Sequence, residues 1–118
     1  KLDAVGFTTY PELVFKKPGE IPDNYYAEIA MHMSKPILFT EVAWASKPLN
    51  AAWDVDTTEN TQAEFVARFF NLTKSLNKEL VVWPFMHDLP DSFGIFKDMG
   101  LRTTNDAAKL AWSVWVGS

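Results

Sequence analysis

The sequence has no cysteine, and it lacks the marks of several common classes of protein. Disulfides and thiol chemistry are excluded, and the redox state of the compartment cannot be inferred from cysteine usage. No apolar run approaches the roughly 20 residues that a membrane helix needs. No basic stretch resembles a surface that follows phosphates, and the net charge is −4. Neither a membrane nor a nucleic acid is therefore expected as a partner.

Aromatic residues, in contrast, are abundant. They make up 14% of the 118 residues and include five Trp, in a chain long enough for one modest domain with a core. Clustered Trp and Tyr often mark a surface that stacks on flat ligands such as sugar rings or bases. The composition is therefore compatible with a surface that binds sugars or bases.

Three short apolar runs alternate with helical patterns along the chain. The runs are rich in β-branched and aromatic residues and are bounded by Pro or polar residues, which predicts buried strands at residues 4–10, 36–42 and 80–83, the last extending toward 86. Apolar residues at helical spacing predict helices at residues 23–33, 58–76 and 106–115. Thr58 or Asn60 is expected to cap the second helix, and Asn105 or Asp106 the third.

This alternation predicts an α/β fold with three parallel strands in a single domain, residues 1–118. Two architectures fit: a small open doubly wound sheet of flavodoxin type, or three units of a (β/α)₈ barrel. No glycine-rich phosphate loop follows any strand, which weakens the nucleotide-binding version of the open sheet. The segments after the strands are long (residues 11–22, 45–57 and 87–104), whereas those before the second and third strands are short, an asymmetry that favours a partial TIM barrel.

Polar and aromatic residues stand where the predicted strands end. The first strand ends at Tyr10, the second at Glu41 with Trp44 shortly after it, and the third carries Trp83. Because the carboxyl ends of parallel strands meet at one edge of the sheet, a carboxylate, a Tyr and two Trp are expected to converge on one cleft.

Residues 35–44, KPILFTEVAW, resemble the seventh strand of the large clan of retaining (β/α)₈ glycoside hydrolases, clan A type, in which a Lys-Pro-apolar strand ends in Thr-Glu. Residues 3–11 are similar to the sixth strand of that clan, and residues 81–83 to the eighth. Residues 100–112 resemble the tail that precedes the last helix. These matches follow the order and spacing of the clan, and endo-galactanase-like families are the most similar. The resemblance implies the units β6-α6-β7-α7-β8-α8.

The resemblance also implies roles for the strand-end residues. Glu41 would be the nucleophile of a double displacement, and Tyr10 would donate a hydrogen bond to it. Trp83 and Trp44 would stack on the sugar. A second carboxyl group, about 5–5.5 Å from the first, would protonate the leaving oxygen. No cofactor or metal is implied, the substrate would be a carbohydrate, and an extracellular or periplasmic location would fit.

The chain departs from the clan in one respect that bears on activity. The acid/base Glu of the clan follows the fourth strand, usually as Asn-Glu, and that strand would lie before Lys1; residues 1–118 contain no Asn-Glu pair. The isolated chain is therefore expected to be a catalytically incomplete glycosidase. Three strands alone leave two sheet edges and an apolar face uncovered, so we expect association with the missing N-terminal barrel units or with a second copy.

Simpler interpretations stay open at this point. Glu41 is also compatible with a solvated or salt-bridged strand end, Tyr10 with an ordinary strand-end Tyr, and Trp83 with core packing. The chain is also compatible with a non-catalytic α/β module that binds a carbohydrate or a protein. His87 and Asp88 are adjacent candidate metal ligands without further ligands at suitable spacing, which favours a surface loop pair.

Overall fold

The computed structural model describes residues 3–118, which contain three β-strands that form one parallel sheet in the order β1-β2-β3. The strands are β1 (Val5–Thr9), β2 (Ile37–Val42) and β3 (Lys78–Val81). Three α-helices alternate with them: α1 (Tyr25–Met31), α2 (Glu59–Leu72) and α3 (Leu110–Val116). Short 3₁₀ helices form at Pro11–Leu13, Pro18–Glu20 and Asp91–Phe96. The predicted α/β fold with three parallel strands is confirmed.

The helix boundaries follow the capping signals in one case and depart from them in another. Thr58 caps α2 as predicted, with its hydroxyl accepting from the Thr61 amide at 3.1 Å. The third helix begins at Leu110, four residues later than predicted. Residues 103–107 form a turn instead, in which the Ala107 carbonyl accepts from the Thr103 amide at 2.8 Å and Asp106 has a φ of 65°. A left-handed residue at that point cannot belong to an α-helix.

The three helices are associated with one face of the sheet, and this face holds the core. Phe39 of β2 lies between Tyr26 of α1 and Phe69 of α2, with ring centroids 5.5 and 5.0 Å away. Trp115 of α3 contacts Phe70 of α2 at 5.4 Å. A doubly wound sheet would have helices on both faces. Helices on one face of consecutive parallel strands are the arrangement of a β/α-barrel wall.

The opposite face of the sheet, called the inner face below, is not covered by any of the described residues. Gly6 and Thr8 of β1, Thr40 of β2 and Leu80 of β3 are exposed there. Thr40 Oγ1 lies 3.5 Å from Thr8 Oγ1, and its methyl group would lie 3.1 Å from a Cβ atom placed on Gly6. In a closed barrel this face would line the interior.

The register of the sheet changes twice. It shifts between Phe7 and Thr8 in the pairing of β1 with β2, and between Ile37 and Leu38 in the pairing of β2 with β3. Each irregularity changes which side chains lie opposite one another, and bulges of this kind often re-aim side chains near active sites. The shift in β1 precedes Tyr10 by only a few residues.

None of the helices within residues 3–118 combines the length and the apolar character that crossing a membrane requires.

Candidate functional site

The carboxyl edge of the sheet brings Tyr10 and Glu41 together. Tyr10 follows the last residue of β1, and Glu41 is the fifth residue of β2, paired with Thr8 in the sheet. The Tyr10 hydroxyl donates to Glu41 Oε2 at 2.6 Å, so the expected hydrogen bond is present. Among the described residues none donates to the other oxygen, Oε1, which is not fully enclosed and is free to face an incoming group.

Tyr10 is held neutral and oriented by its surroundings. Burial, followed by the hydrogen bond to Glu41 and the charge of that carboxylate, raises the pKa of the phenol well above its ordinary value. The Phe96 ring packs edge-on against the Tyr10 ring, with centroids 5.6 Å apart. A phenol that stays protonated acts as a hydrogen-bond donor, so Tyr10 can donate to Glu41 without losing its own proton.

A second carboxyl group, which the sequence did not single out, lies in the turn after β1. Glu12 is only 2% exposed, and its Oε2 accepts from the backbone amide of Ala45 at 2.6 Å. Its other oxygen, Oε1, is buried without a hydrogen-bond partner. Burial raises the pKa of Glu12 to about 8, against the opposing effect of the Ala45 amide. Buried carboxyl groups are rare, and nothing in the loop sequence around Glu12 indicates that this residue is buried.

Trp44 does not lie at the cleft, which corrects the expectation that it stacks on a sugar. The residue is 0% exposed, and its ring packs on Phe65 of α2 at 5.3 Å. Its indole nitrogen donates to the Asp56 carbonyl at 3.0 Å. Both ring faces and the polar atom are therefore used inside the core, because the chain after β2 turns this side chain toward the helices.

Trp83 is likewise a core residue, which corrects its assignment to substrate binding. It is 8% exposed, with Phe65 at 6.3 Å and Trp115 of α3 at 5.7 Å between ring centroids. The indole nitrogen donates to the Met99 carbonyl at 2.7 Å. The competing interpretation of Trp83 as core packing is thus the one that the structure supports.

Other aromatic rings, absent from the sequence-based prediction, stand beside Tyr10. Phe96 contacts Tyr10 and also Phe85, at 5.9 Å between centroids, and both Phe rings are partly buried. The same loop exposes Phe93 and Met86, each to 52%. Their position near the carboxyl edge depends on how residues 84–109 fold, and a loop of that length carries no periodic signal.

A buried ion pair connects the loops that follow β2 and β3. Lys109 Nζ donates to Asp88 Oδ1 at 2.5 Å and to Ser46 Oγ at 2.8 Å, and both charged side chains are almost fully buried. Asp88 Oδ1 also accepts from the Gly100 amide at 3.1 Å. The expectation that Asp88 is a surface loop residue is therefore wrong. Gly100 lies so close to the backbone of His87 that a Cβ atom would overlap it.

His87 is separated from this pair and lies at the surface. Its Nε2 lies 2.7 Å from Asp106 Oδ1, which also accepts from Arg102 Nε at 2.6 Å. These two hydrogen bonds, the His87 bond first, lower the pKa of the Asp106 carboxyl. Within residues 3–118 no group of three His, Cys, Asp or Glu side chains is arranged to hold a metal ion.

Comparison with known proteins identifies the fold. No family model and no curated protein matches the sequence. Among solved structures, a β-D-glucuronidase of Dictyoglomus thermophilum is 16% identical with a TM-score of 0.72, and the match covers 98% of this chain and 22% of that chain. The Ignisphaera aggregans GH53 catalytic domain is 15% identical with a TM-score of 0.63, over 98% of this chain and 38% of that one.

A further similar structure is an active-site mutant of a Rhizomucor miehei β-1,3-glucanosyltransferase in complex with laminaritriose. It is 16% identical with a TM-score of 0.70, and the match covers 93% of this chain and 42% of that chain. The chain thus spans less than half the length of each of these relatives. At this level of identity the likeness establishes the fold: three β/α units of the TIM barrel that glycoside hydrolases also use.

Proposed function

We propose that residues 1–118 are the sixth to eighth β/α units of a retaining glycoside hydrolase, and that Glu41 is its nucleophile. The observation that carries the proposal is the 2.6 Å hydrogen bond from Tyr10 to Glu41 at the carboxyl edge of a parallel sheet. Barrel enzymes have their active sites at this edge. The structural relatives named above as a glucuronidase, a glucanosyltransferase and a glycoside hydrolase domain favour a sugar as the substrate class.

The proposed reaction is a double displacement. A carboxylate oxygen of Glu41 attacks the anomeric carbon, and the bond from that carbon to the leaving oxygen breaks as the glycosyl ester forms. A second carboxyl group gives its proton to the leaving oxygen. Water then attacks the anomeric carbon, returns a proton to the second group and frees Glu41, so that the sugar keeps its configuration. The hydrogen bond from Tyr10 orients the Glu41 carboxylate for its attack on the anomeric carbon.

The second carboxyl group would come from barrel units that precede these three. Glu12 does not take this role, because it is 2% exposed and is bonded to the backbone of Ala45. The uncovered inner face and the free edges of β1 and β3 are the surfaces on which those units would complete the barrel. Leu80, which is 47% exposed on β3, would be buried by that assembly.

The test of Glu41 uses a substrate that needs no acid catalyst. Dinitrophenolate leaves without a proton, and fluorine at the sugar 2-position slows the hydrolysis of the glycosyl ester. The chain would be incubated with 2,4-dinitrophenyl 2-deoxy-2-fluoro-β-glycosides of glucose, galactose, mannose and glucuronic acid. We expect intact mass spectrometry to show one added fluorosugar, and peptide mapping to place it on Glu41.

Two variants serve as controls for the labelling. Glu41→Gln should take up no fluorosugar, whereas Glu64→Gln, which changes an exposed carboxylate on α2, should be labelled like the wild type. An adduct that persists in Glu41→Gln, or no adduct with any of the four sugars, would refute the assignment of Glu41 as the nucleophile. The latter result would leave a non-catalytic carbohydrate- or protein-binding module as the function.

A further inference from the structure

We propose that Glu12 is a positioning residue for the Tyr10–Glu41 pair: its buried, neutral carboxyl group ties the turn after β1 to the chain after β2 and so fixes the approach of Tyr10 to Glu41. The catalytic meaning of this role rests on the proposed function of Glu41. The positioning itself is a property of the fold and is measurable without substrate.

The geometry places two bridges between the same pair of strand ends. The first runs from Tyr10, after β1, to Glu41 in β2, over 2.6 Å. The second runs from the Ala45 amide, after β2, to Glu12 Oε2, also over 2.6 Å. Tyr10 and Glu12 are two residues apart, and Pro11 between them begins a 3₁₀ turn of three residues. A shift of Glu12 is therefore transmitted to Tyr10 through a short, constrained segment.

The surroundings of Glu12 require a neutral carboxyl group. It is 2% exposed, and its one polar contact is an uncharged amide, so a charge there would have no counter-ion within hydrogen-bond distance. Burying an unpaired carboxylate is strongly unfavourable, and such groups stay protonated. The raised pKa of about 8 agrees with this picture, with burial as its main cause.

Ionisation of Glu12 is felt at Tyr10. The negative charge of Glu12 is among the influences that raise the pKa of the Tyr10 phenol, after burial and the two contributions of Glu41. Tyr10, from the end of β1, and Glu41, from β2, are the titratable groups of the bridged pair. Above the pKa of Glu12, the carboxylate is buried without a counter-ion, and although the Ala45 amide favours its charged form, relief of the burial cost requires water to reach Oε1, which displaces the turn after β1. The Tyr10–Glu41 contact should then change.

The experiment follows the pair directly by NMR. The chain would carry ¹³C at the side-chain carboxyl of Glu and at the ring Cζ of Tyr, and the Glu41 signal would be assigned by its loss in Glu41→Gln. Spectra would be recorded from pH 6 to pH 10. In the wild type we expect the Glu41 and Tyr10 signals to shift together, with the same midpoint near pH 8 as the Glu12 carboxyl signal.

The matched variant is Glu12→Gln, which retains an oxygen that accepts from Ala45 and cannot ionise. Its Glu41 and Tyr10 signals should keep their wild-type positions of pH 6 up to pH 10, with no step near pH 8. In Glu12→Ala both signals should already be displaced at pH 6. If Glu12→Ala does not fold, Glu12→Leu, which is close to glutamate in size and cannot accept from Ala45, takes its place, and its two signals should likewise be displaced at pH 6. Glu64→Gln should behave as the wild type does.

The positioning role would be overturned if Glu12 titrated without moving the Glu41 and Tyr10 signals, or if the step near pH 8 persisted in Glu12→Gln. Failure of the fluorosugar labelling, in contrast, would refute the nucleophile and leave this result untouched. The two proposals therefore fail separately.

Discussion

The two faces of the sheet differ in how far their side chains are buried. The outer face is closed by three helices, with Phe39, Phe65 and Phe69 each at most 1% exposed. On the inner face, glycine, threonine and leucine residues are exposed, and none of the described residues covers them. A domain that folded by itself as an open sheet would cover both faces. The difference supports the proposal that further β/α units complete the barrel over the inner face.

The largest loss of stability is expected from the truncation of a buried ring on the outer face. Phe69→Ala removes a ring that touches Tyr26, Phe39 and Phe65. We expect the free energy of unfolding to fall by about 4 kcal/mol, because a buried Phe→Ala change leaves a cavity. Urea denaturation followed by tryptophan fluorescence measures this loss. Leu80→Ala on the inner face is the control, with an expected loss below about 1 kcal/mol. Equal losses would remove the distinction between the faces.

The buried ion pair between Lys109 and Asp88, at the carboxyl edge, is expected to stabilise the fold as well. Lys109→Met would leave Asp88 buried without its cation, and we expect a loss of about 3 kcal/mol. The double variant Lys109→Met/Asp88→Leu should recover most of it, since no charge then remains unpaired. A double-mutant cycle from thermal denaturation gives the coupling. A loss no larger than that of Lys17→Met, which changes an exposed lysine, would show that the pair does not stabilise the fold.

Because of Glu12, in the turn after β1, the free energy of unfolding is expected to depend on pH. Glu12 has a folded pKa of about 8 against an ordinary value of 4.5, so the folded state holds a proton that the unfolded state releases. Stability contributed by Glu12 is therefore full below pH 4.5 and declines as the pH rises to 8. Between pH 5 and pH 7 the decline should be about 2 kcal/mol. Chemical denaturation at both pH values measures it, and Glu12→Gln should lack this component.

The smallest effect on stability is expected on the inner face. Leu80→Asp places a charge on an exposed strand and should change the free energy of unfolding by less than about 0.5 kcal/mol. Its effect should instead appear in association, because the same side chain would be buried by the proposed further barrel units or by a second copy. Analytical ultracentrifugation of wild type and variant compares their oligomeric states. Identical self-association in both would exclude Leu80 from the contact.

Much of the fold could be predicted because near-continuous apolar strands and long loops after them are strong local signals. The Thr58 cap followed from residue type, and the convergence of Tyr10 and Glu41 followed from their positions at strand ends. The hydrogen bond between them was expected from the resemblance. The direction of Trp44 and Trp83 did not. Both residues follow the ends of their strands, at Val42 and Val81, where strand alternation no longer fixes the direction of a side chain. The register shifts at Phe7/Thr8 and Ile37/Leu38 also prevent a simple count along the strands.

The burial of Glu12, Asp88 and Lys109 could not be predicted for a different reason. Charged residues in loops are solvated in most proteins, and only the folding of three loops over one another makes these an exception. The partner of each lies far along the chain: Ala45 for Glu12, and Lys109 for Asp88. No local pattern encodes contacts of that separation.

The close passage of Gly100 against the backbone of His87 limits which residues position 100 can accept. Every side chain other than hydrogen would push apart the segments that carry Asp88 and Lys109, whatever its polarity. In a library of all single substitutions selected for folded protein, position 100 should therefore accept almost no residue but glycine. Neighbouring Thr104 and Asn105, both exposed, should accept most of the twenty.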